Sequence, residues 1–250
     1  MQSTTITAQD EKSLSIVSSK YEDMGNYKKS NNCDVYTIHA KVTDIKKRAD
    51  SMMRILLDES WIHKLDIVPK RSYQARSEKT VEKLVNDILK KVTSTVNTEF
   101  GEFLISVSAQ DSLQAQYEHI VVPLAELWKE KITGNPGFDF HTETNKSELI
   151  AFGEAKYSSN INPHTKALNQ ISSFIESKKD EFELTDLTHF VSKKAMTNFI
   201  ENGKKAYIAA FSMNSKEPTK IFKNILTSSH IDKLLEYDEL YLIGIEIDNA

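Results

Sequence analysis

The residues best suited to chemistry lie between Gly137 and Tyr157, in GFDFHTETNKSELIAFGEAKY. Asp139 sits between Phe138 and Phe140 and, in an extended strand, faces away from both. Leu149-Ile150-Ala151-Phe152 is apolar on both faces, as a central strand requires. Gly153-Glu154-Ala155-Lys156 follows, and Glu154 and Lys156, two residues apart, share a face. The runs Phe138 to Glu143 and Glu148 to Tyr157, joined by the polar Thr144-Asn145-Lys146-Ser147, read as a hairpin that brings Asp139 to that same face. Two carboxylates and an ammonium at the end of a buried strand are costly unless something binds there. Phosphodiester hydrolysis uses such a set. Asp139 and Glu154 offer hard anionic oxygens to Mg²⁺ or Mn²⁺, with the backbone carbonyl of Ala155 as a further ligand. The metal lowers the pKa of water and offsets charge on the scissile phosphate. Lys156 is placed to orient the attacking water and to stabilise the charge that develops. The bland reading of a bare Glu-x-Lys pair is an exposed amphipathic strand; Asp139, the hairpin and the apolar run before Glu154 favour the catalytic one.

Other polar residues are weaker candidates. His141, two residues from Asp139, is expected on the same face, within reach of metal or substrate; the alternative is a strand-surface histidine without a role. His164 and Lys166 open a helix introduced by Asn162-Pro163, where amide dipoles attract phosphate, so both are candidate contacts to a DNA backbone. Lys70, Arg71, Arg76 and Lys79, with Tyr73 among them, and the pairs Lys193-Lys194 and Lys204-Lys205 either track phosphate or form a solvated face.

These residues need a frame. Val81, Leu84, Val85, Ile88, Leu89 and Val92 fall on one helical stripe after a basic segment broken by Pro69. A second helix is predicted from about Thr98, with Phe100, Phe103, Leu104 and Val107 on one side, and both stripes read as core packing. Upstream, Asp34 to Ala40 reads as a short strand and Asp44 to Leu57 as a helix. Downstream of the hairpin come a helix to about Lys179 and another from Leu184 to Glu201. A strand at Tyr207 to Met213, short helices over Thr219 to Leu235 and a last strand at Leu240 to Ile247 complete the chain. Trp128 to Ile132 reads as a strand or a helix end, and Gly134-Asn135-Pro136-Gly137 as a turn. The order implies an α/β (α+β) fold, a mixed central sheet flanked by helices. The expected division is a mobile or loosely docked segment over 1–30, a mostly helical region over 31–96 and the domain bearing the site over 97–250.

The pattern D-x14-E-A-K on adjoining strands, followed by a helix and preceded by Pro136-Gly137-Phe138, resembles the PD-(D/E)xK nuclease superfamily. Within it, Phe100-Gly101-Glu102, GFDFH and LIAFGEAKY, in that order, look most like the anti-phage nuclease subunits of the Hachiman and AbpA type. The resemblance covers roughly Phe100 to Ala250. It implies a restriction-endonuclease-like core and a DNase that works with a helicase partner in bacterial phage defence. It also gives Glu102 the role of helix carboxylate and Gln170 that of the core-helix residue that completes such sites. Glu118 and Glu126 are alternatives to Glu102, and each of the three is also readable as a solvated surface residue.

Composition narrows the remaining classes. The 250 residues are 39% hydrophobic and 27% charged, as in ordinary globular chains. No apolar run approaches the roughly 20 residues of a spanning helix, and the opening MQSTTITAQDEKS lacks the features of a signal peptide, so no membrane role is expected. A lone Cys33 excludes a disulfide framework and a cysteine zinc site, and suits a reducing cytoplasm. The net charge of −4 excludes a histone-like DNA coat and favours a partner that delivers the substrate. Walker, dinucleotide-binding and zinc-protease motifs are absent. Two other functions fit the residues, a catalytically silent interaction subunit that keeps the nuclease fold, and an RNase of the same fold.

Overall fold

The computed structural model describes residues 13–23, 33–92, 96–129 and 137–248. Seven strands form one mixed sheet: β1 (Leu14–Glu22), β2 (Asp34–Val42), β3 (Ile120–Val121), β4 (Phe140–Glu143), β5 (Ile150–Lys156), β6 (Ala206–Ser212) and β7 (Glu239–Ile247). Their spatial order is β1-β2-β7-β6-β5-β4-β3. The central strands β2, β7, β6 and β5 run parallel, while β1 and the pair β4 and β3 are antiparallel to their neighbours. Parallel strands need cover on both faces, and β6 (AYIAAFS), buried at every position, has the matching composition.

The helices are α1 (Ile45–Leu57), α2 (Ser60–His63), α3 (Ile67–Lys83), α4 (Thr98–Tyr117), α5 (Ala125–Trp128), α6 (His164–Glu176), α7 (Lys179–Phe182), α8 (Leu184–Leu187), α9 (Lys193–Asn202) and α10 (Pro218–Thr227). They lie on opposite sides of the sheet, as strand alternation shows. Phe152 of β5 pairs in register with Tyr207 of β6 and packs against Phe199 of α9, and Phe138 on that side meets Phe174 of α6. Ile208, the next residue of β6, pairs with Tyr241, whose ring meets Tyr117 of α4 on the other side. Three helix starts have a local cause. The side chains of Asp44, Asn97 and Ser192 accept hydrogen bonds from the first turns of α1, α4 and α9, and Gly203 ends α9 in the left-handed region.

Helix α4 is buried almost throughout its length, and its polar side chains are satisfied internally. Gln110 donates to the carbonyls of Val122 (2.9 Å) and His141 (3.0 Å), tying α4 to β4. On its outer side Arg48 of α1, fully buried, donates to Ser108 Oγ (3.2 Å) and Asp111 Oδ2 (2.6 Å). The regions before and after residue 97 therefore share one sheet and a buried ion pair.

Most predicted elements form as expected, and the mixed α/β class holds. Four differ. Leu14–Glu22, within the segment expected to be mobile or loosely docked, is the edge strand β1; residues 1–12 and 24–32 lie outside the described residues. Pro69 does not break the basic segment. It stands in the first turn of α3, where a missing N–H costs nothing, and the helix continues through a π turn at Leu84–Ile88. The helix expected from Leu184 to Glu201 is interrupted between Leu187 and Lys193, where Ser192 caps α9. Trp128 ends the short helix α5, and residues 130–136 lie outside the described residues.

His119, just past α4, is buried between Thr142 Oγ1 (2.8 Å from Nδ1) and the Tyr241 ring, and its Nε2 has no partner among the described residues. Burial pushes its pKa from 6.5 down to about 3. The folded protein therefore keeps His119 neutral at pH values where the unfolded chain takes up a proton. Stability from this site is complete above about pH 6.5 and falls as pH drops toward 3, by about 2 kcal/mol at pH 5. Urea denaturation between pH 7 and pH 5 should show that slope, and His119→Asn should flatten it.

Candidate active site

The carboxyl end of β5 carries the site, the usual location in sheets with parallel strands. Asp139 lies in a bend just before β4. Its N–H donates to the Gly153 carbonyl (2.9 Å), and its Oδ2 accepts from the Ala155 N–H (2.8 Å). The Asp139 carboxyl is thus fixed across the end of β5 and comes within hydrogen-bonding reach of Glu154. The Glu154 side chain has no exposure, that of Lys156 is 17% exposed and that of Glu102 is 41% exposed, so the site opens from a buried carboxyl toward solvent. Lys156 Nζ is ion-paired with Glu154 Oε1, lies 3.2 Å from the Ala155 carbonyl and 3.9 Å from Glu102 Oε1.

Glu102 arrives from the first turns of α4 because Gly101 lets the helix approach closely. A Cβ at Gly101 would lie 2.2 Å from Tyr157 Cγ, inside the ring that follows Lys156. Of the three helix carboxylates considered, Glu102 is the one whose electrostatic neighbours are Lys156, Asp139 and Lys166. Glu118 is the exposed left-handed cap at the far end of α4, about 24 Å away along the helix axis. Its Oε2 is 3.5 Å from Asn145 in the hairpin turn. Glu126 belongs to α5, which packs on α3.

The charges act on one another as crowding dictates. Burial, then the Asp139 charge, pushes the Glu154 carboxyl well above the ordinary range, and Lys156 offsets only part of that. Burial likewise raises Asp139, again against Lys156, and raises Glu102. Burial alone would lower the Lys156 ammonium, but Glu154, Asp139 and Glu102 together hold its pKa above the ordinary value. Carboxyls pushed up by burial are a common signature of functional sites.

The donor set fits a divalent cation. Glu154 Oε2 is buried without a hydrogen-bond partner among the described residues, beside a second carboxyl, and the Lys156 ammonium stands as a cation between Glu154 Oε1 and the Ala155 carbonyl. Among the described residues no three His, Cys, Asp or Glu side chains form a ready-made metal cage. Mg²⁺ does not need one, since it takes one or two carboxylates and completes its shell with water and substrate oxygens.

Other candidates stand elsewhere. His141 is not beside Asp139. It is fully buried, 2.6 Å from Glu183 Oε2 and packed against Trp128 and Phe152. The bend at Asp139 breaks the two-residue alternation on which its expected placement rested. His164 packs edge-on to Phe211, and burial, then His230, lowers its pKa. Lys166 is exposed on the first turn of α6, in electrostatic reach of Glu102, and Gln170 is half-buried on the same helix. Tyr73 is no stacking platform, being buried with its hydroxyl donating to Asp186 (2.6 Å). Arg76 donates to the Trp128 carbonyl (3.1 Å) and Lys205 to Asp180 (2.5 Å), which leaves Arg71, Lys79, Lys193, Lys194 and Lys204 exposed. Glu183 and Lys129, which surround the Asp139 segment, carried no signal in the sequence because they lie in unrelated elements without a motif.

Neither the protein-family models nor the curated proteins contain a match to this chain.

Two outcomes test this geometry. Gly101→Ala should destabilise the fold by about 1–3 kcal/mol in urea denaturation through overpacking against Tyr157, despite the gain in helix propensity. Glu154→Gln keeps the shape of the side chain while removing the carboxyl that pairs with Lys156. Mn²⁺ should raise the melting midpoint of the wild type and leave that of the variant unmoved.

Proposed function

We propose that this chain is a metal-dependent DNA nuclease of the PD-(D/E)xK type, the effector subunit of a bacterial anti-phage complex with a helicase partner. The observation that supports it most is the convergence of Asp139, Glu154 and Lys156 at one strand end, with a buried Glu154 oxygen lacking a partner. Asp139, Glu154 and the Ala155 carbonyl would hold Mg²⁺ or Mn²⁺, which supplies Lewis acidity toward phosphate and water. Lys156, kept protonated by its acidic neighbours, stabilises the negative charge that grows on the phosphate. Glu102 extends the acidic wall toward solvent, and Lys166 at its rim answers the charge of the DNA strand. The net charge of −4 opposes tight binding of free DNA, in keeping with delivery by a helicase. No helix among the described residues is long and apolar enough to cross a membrane. A cytoplasmic location follows from the function proposed and from the single buried Cys33.

The test is cleavage of linear, single-stranded and circular DNA and of RNA, with Mg²⁺, Mn²⁺ or EDTA, with and without the co-expressed helicase. Wild type should cut DNA only with metal, and Glu154→Gln and Lys156→Ala should each lose about a hundredfold or more while staying folded. Cleavage of RNA alone would make the protein an RNase. A wild type inert on every substrate with its partner present would make it an interaction subunit.

A further inference from the structure

A buried polar cluster surrounds the backbone of Phe138, the residue before Asp139. Glu183, between α7 and α8, places Oε1 where it accepts from the Phe138 N–H (3.0 Å) and from Lys129 Nζ (2.5 Å). Its Oε2 meets His141 Nε2 at 2.6 Å. Lys129 in turn donates to the Phe138 carbonyl (2.5 Å). Both polar groups of Phe138, the residue preceding Asp139, are therefore held by one buried ion pair, and His141 two residues beyond Asp139 is held by the same carboxylate. The chain leaves this room: a Cβ on Gly137 would sit 2.2 Å from Glu183 Oε1 and 3.0 Å from Lys129 Nζ. A side chain at 137 would therefore push the Glu183 carboxylate out of this place.

We infer that Glu183, clamped by Lys129 and admitted by Gly137, is a positioning residue that fixes the Asp139 carboxyl for metal binding. This rests on the proposed nuclease reading. Asp139 lies in a bend, where no ladder of strand pairing holds it on both sides, yet its carboxyl must keep station beside Glu154 against charge repulsion. The Glu183 and Lys129 pair secures the backbone on one side, and the Ala155 N–H secures the side chain on the other. Neither Glu183 nor Lys129 touches the metal position, so they act through Asp139 alone.

Mn²⁺ binding by the full chain, measured by calorimetry well below each unfolding midpoint, tests this. Glu183→Ala removes the clamp, and Gly137→Ala displaces it with every clamping residue intact. Glu239→Gln disturbs another buried carboxylate, held by Ser147 and Tyr241 at the opposite end of the sheet, and serves as the control for stability loss. The expected result is binding weakened about ten- to a hundredfold in the first two proteins and unchanged in the control. Should Glu183→Ala fail to fold, Gly137→Ala decides alone. Folded variants that bind Mn²⁺ like wild type overturn the positioning role and leave the nuclease reading intact. Equal weakening in Glu239→Gln also overturns it, by showing that any loss of stability loosens the site. A wild type that binds no Mn²⁺ removes the metal reading and the positioning role together.

Discussion

The burial of the Asp139 and Glu154 carboxyls side by side is the constraint on which the rest of the molecule depends. Two carboxyls within reach of each other, one of them wholly buried, separate or neutralise unless their backbones are held. The chain holds them with rigid elements. Glu154 ends a strand locked between two neighbours, and Asp139 is pinned by backbone groups on β5. Lys156 supplies the one ammonium within direct reach of Glu154 among the described residues, which keeps the cluster tolerable without making it neutral. What remains is a cluster that opens toward solvent on the Lys156 and Glu102 side.

Close approach is the second requirement, and it accounts for residues that do no chemistry. Gly101 and Gly137 each precede an acidic group within two positions, and each gives up a side chain so that another group can occupy its space. The Tyr157 ring fills one vacancy and the Glu183 carboxylate the other. Behind them, the buried hydroxyls and amide of α4 and the Arg48 guanidinium are hydrogen-bonded, so the layer that carries Glu102 is stiff rather than merely apolar.

The parts legible in the sequence were those written locally. Glu154 and Lys156 follow from the alternation of one strand and Asp139 from the hairpin that returns to its end, and α4 and α6 from stripes and caps within a few residues. The misplacement of His141 has the same root, because the rule of alternation carries through a strand and fails at the bend where Asp139 sits. Glu183 was invisible for the opposite reason. Its partners Lys129, Phe138 and His141 are some forty to fifty residues away, and only folding brings them together. Strand β1 escaped notice because an edge strand exposes much of both faces, and its serines, lysine and glutamate resemble those of a loop.

The pairing of β2 with β7 couples the two ends of the described chain. Ile38 lies opposite Ile243, and the β1 and β2 pair joins the rest of the sheet through β7 alone. Such a contact closes a loop of about two hundred residues, among the slowest to form. During synthesis on the ribosome β2 emerges early and waits with an open edge until β7 has been made. β6, the strand that supports β5, also lacks its second neighbour until then. A nascent chain still short of β7 holds Asp139, Glu154 and Lys156 but not the frame that forces them together, so their convergence is completed only by the last strand of the sheet.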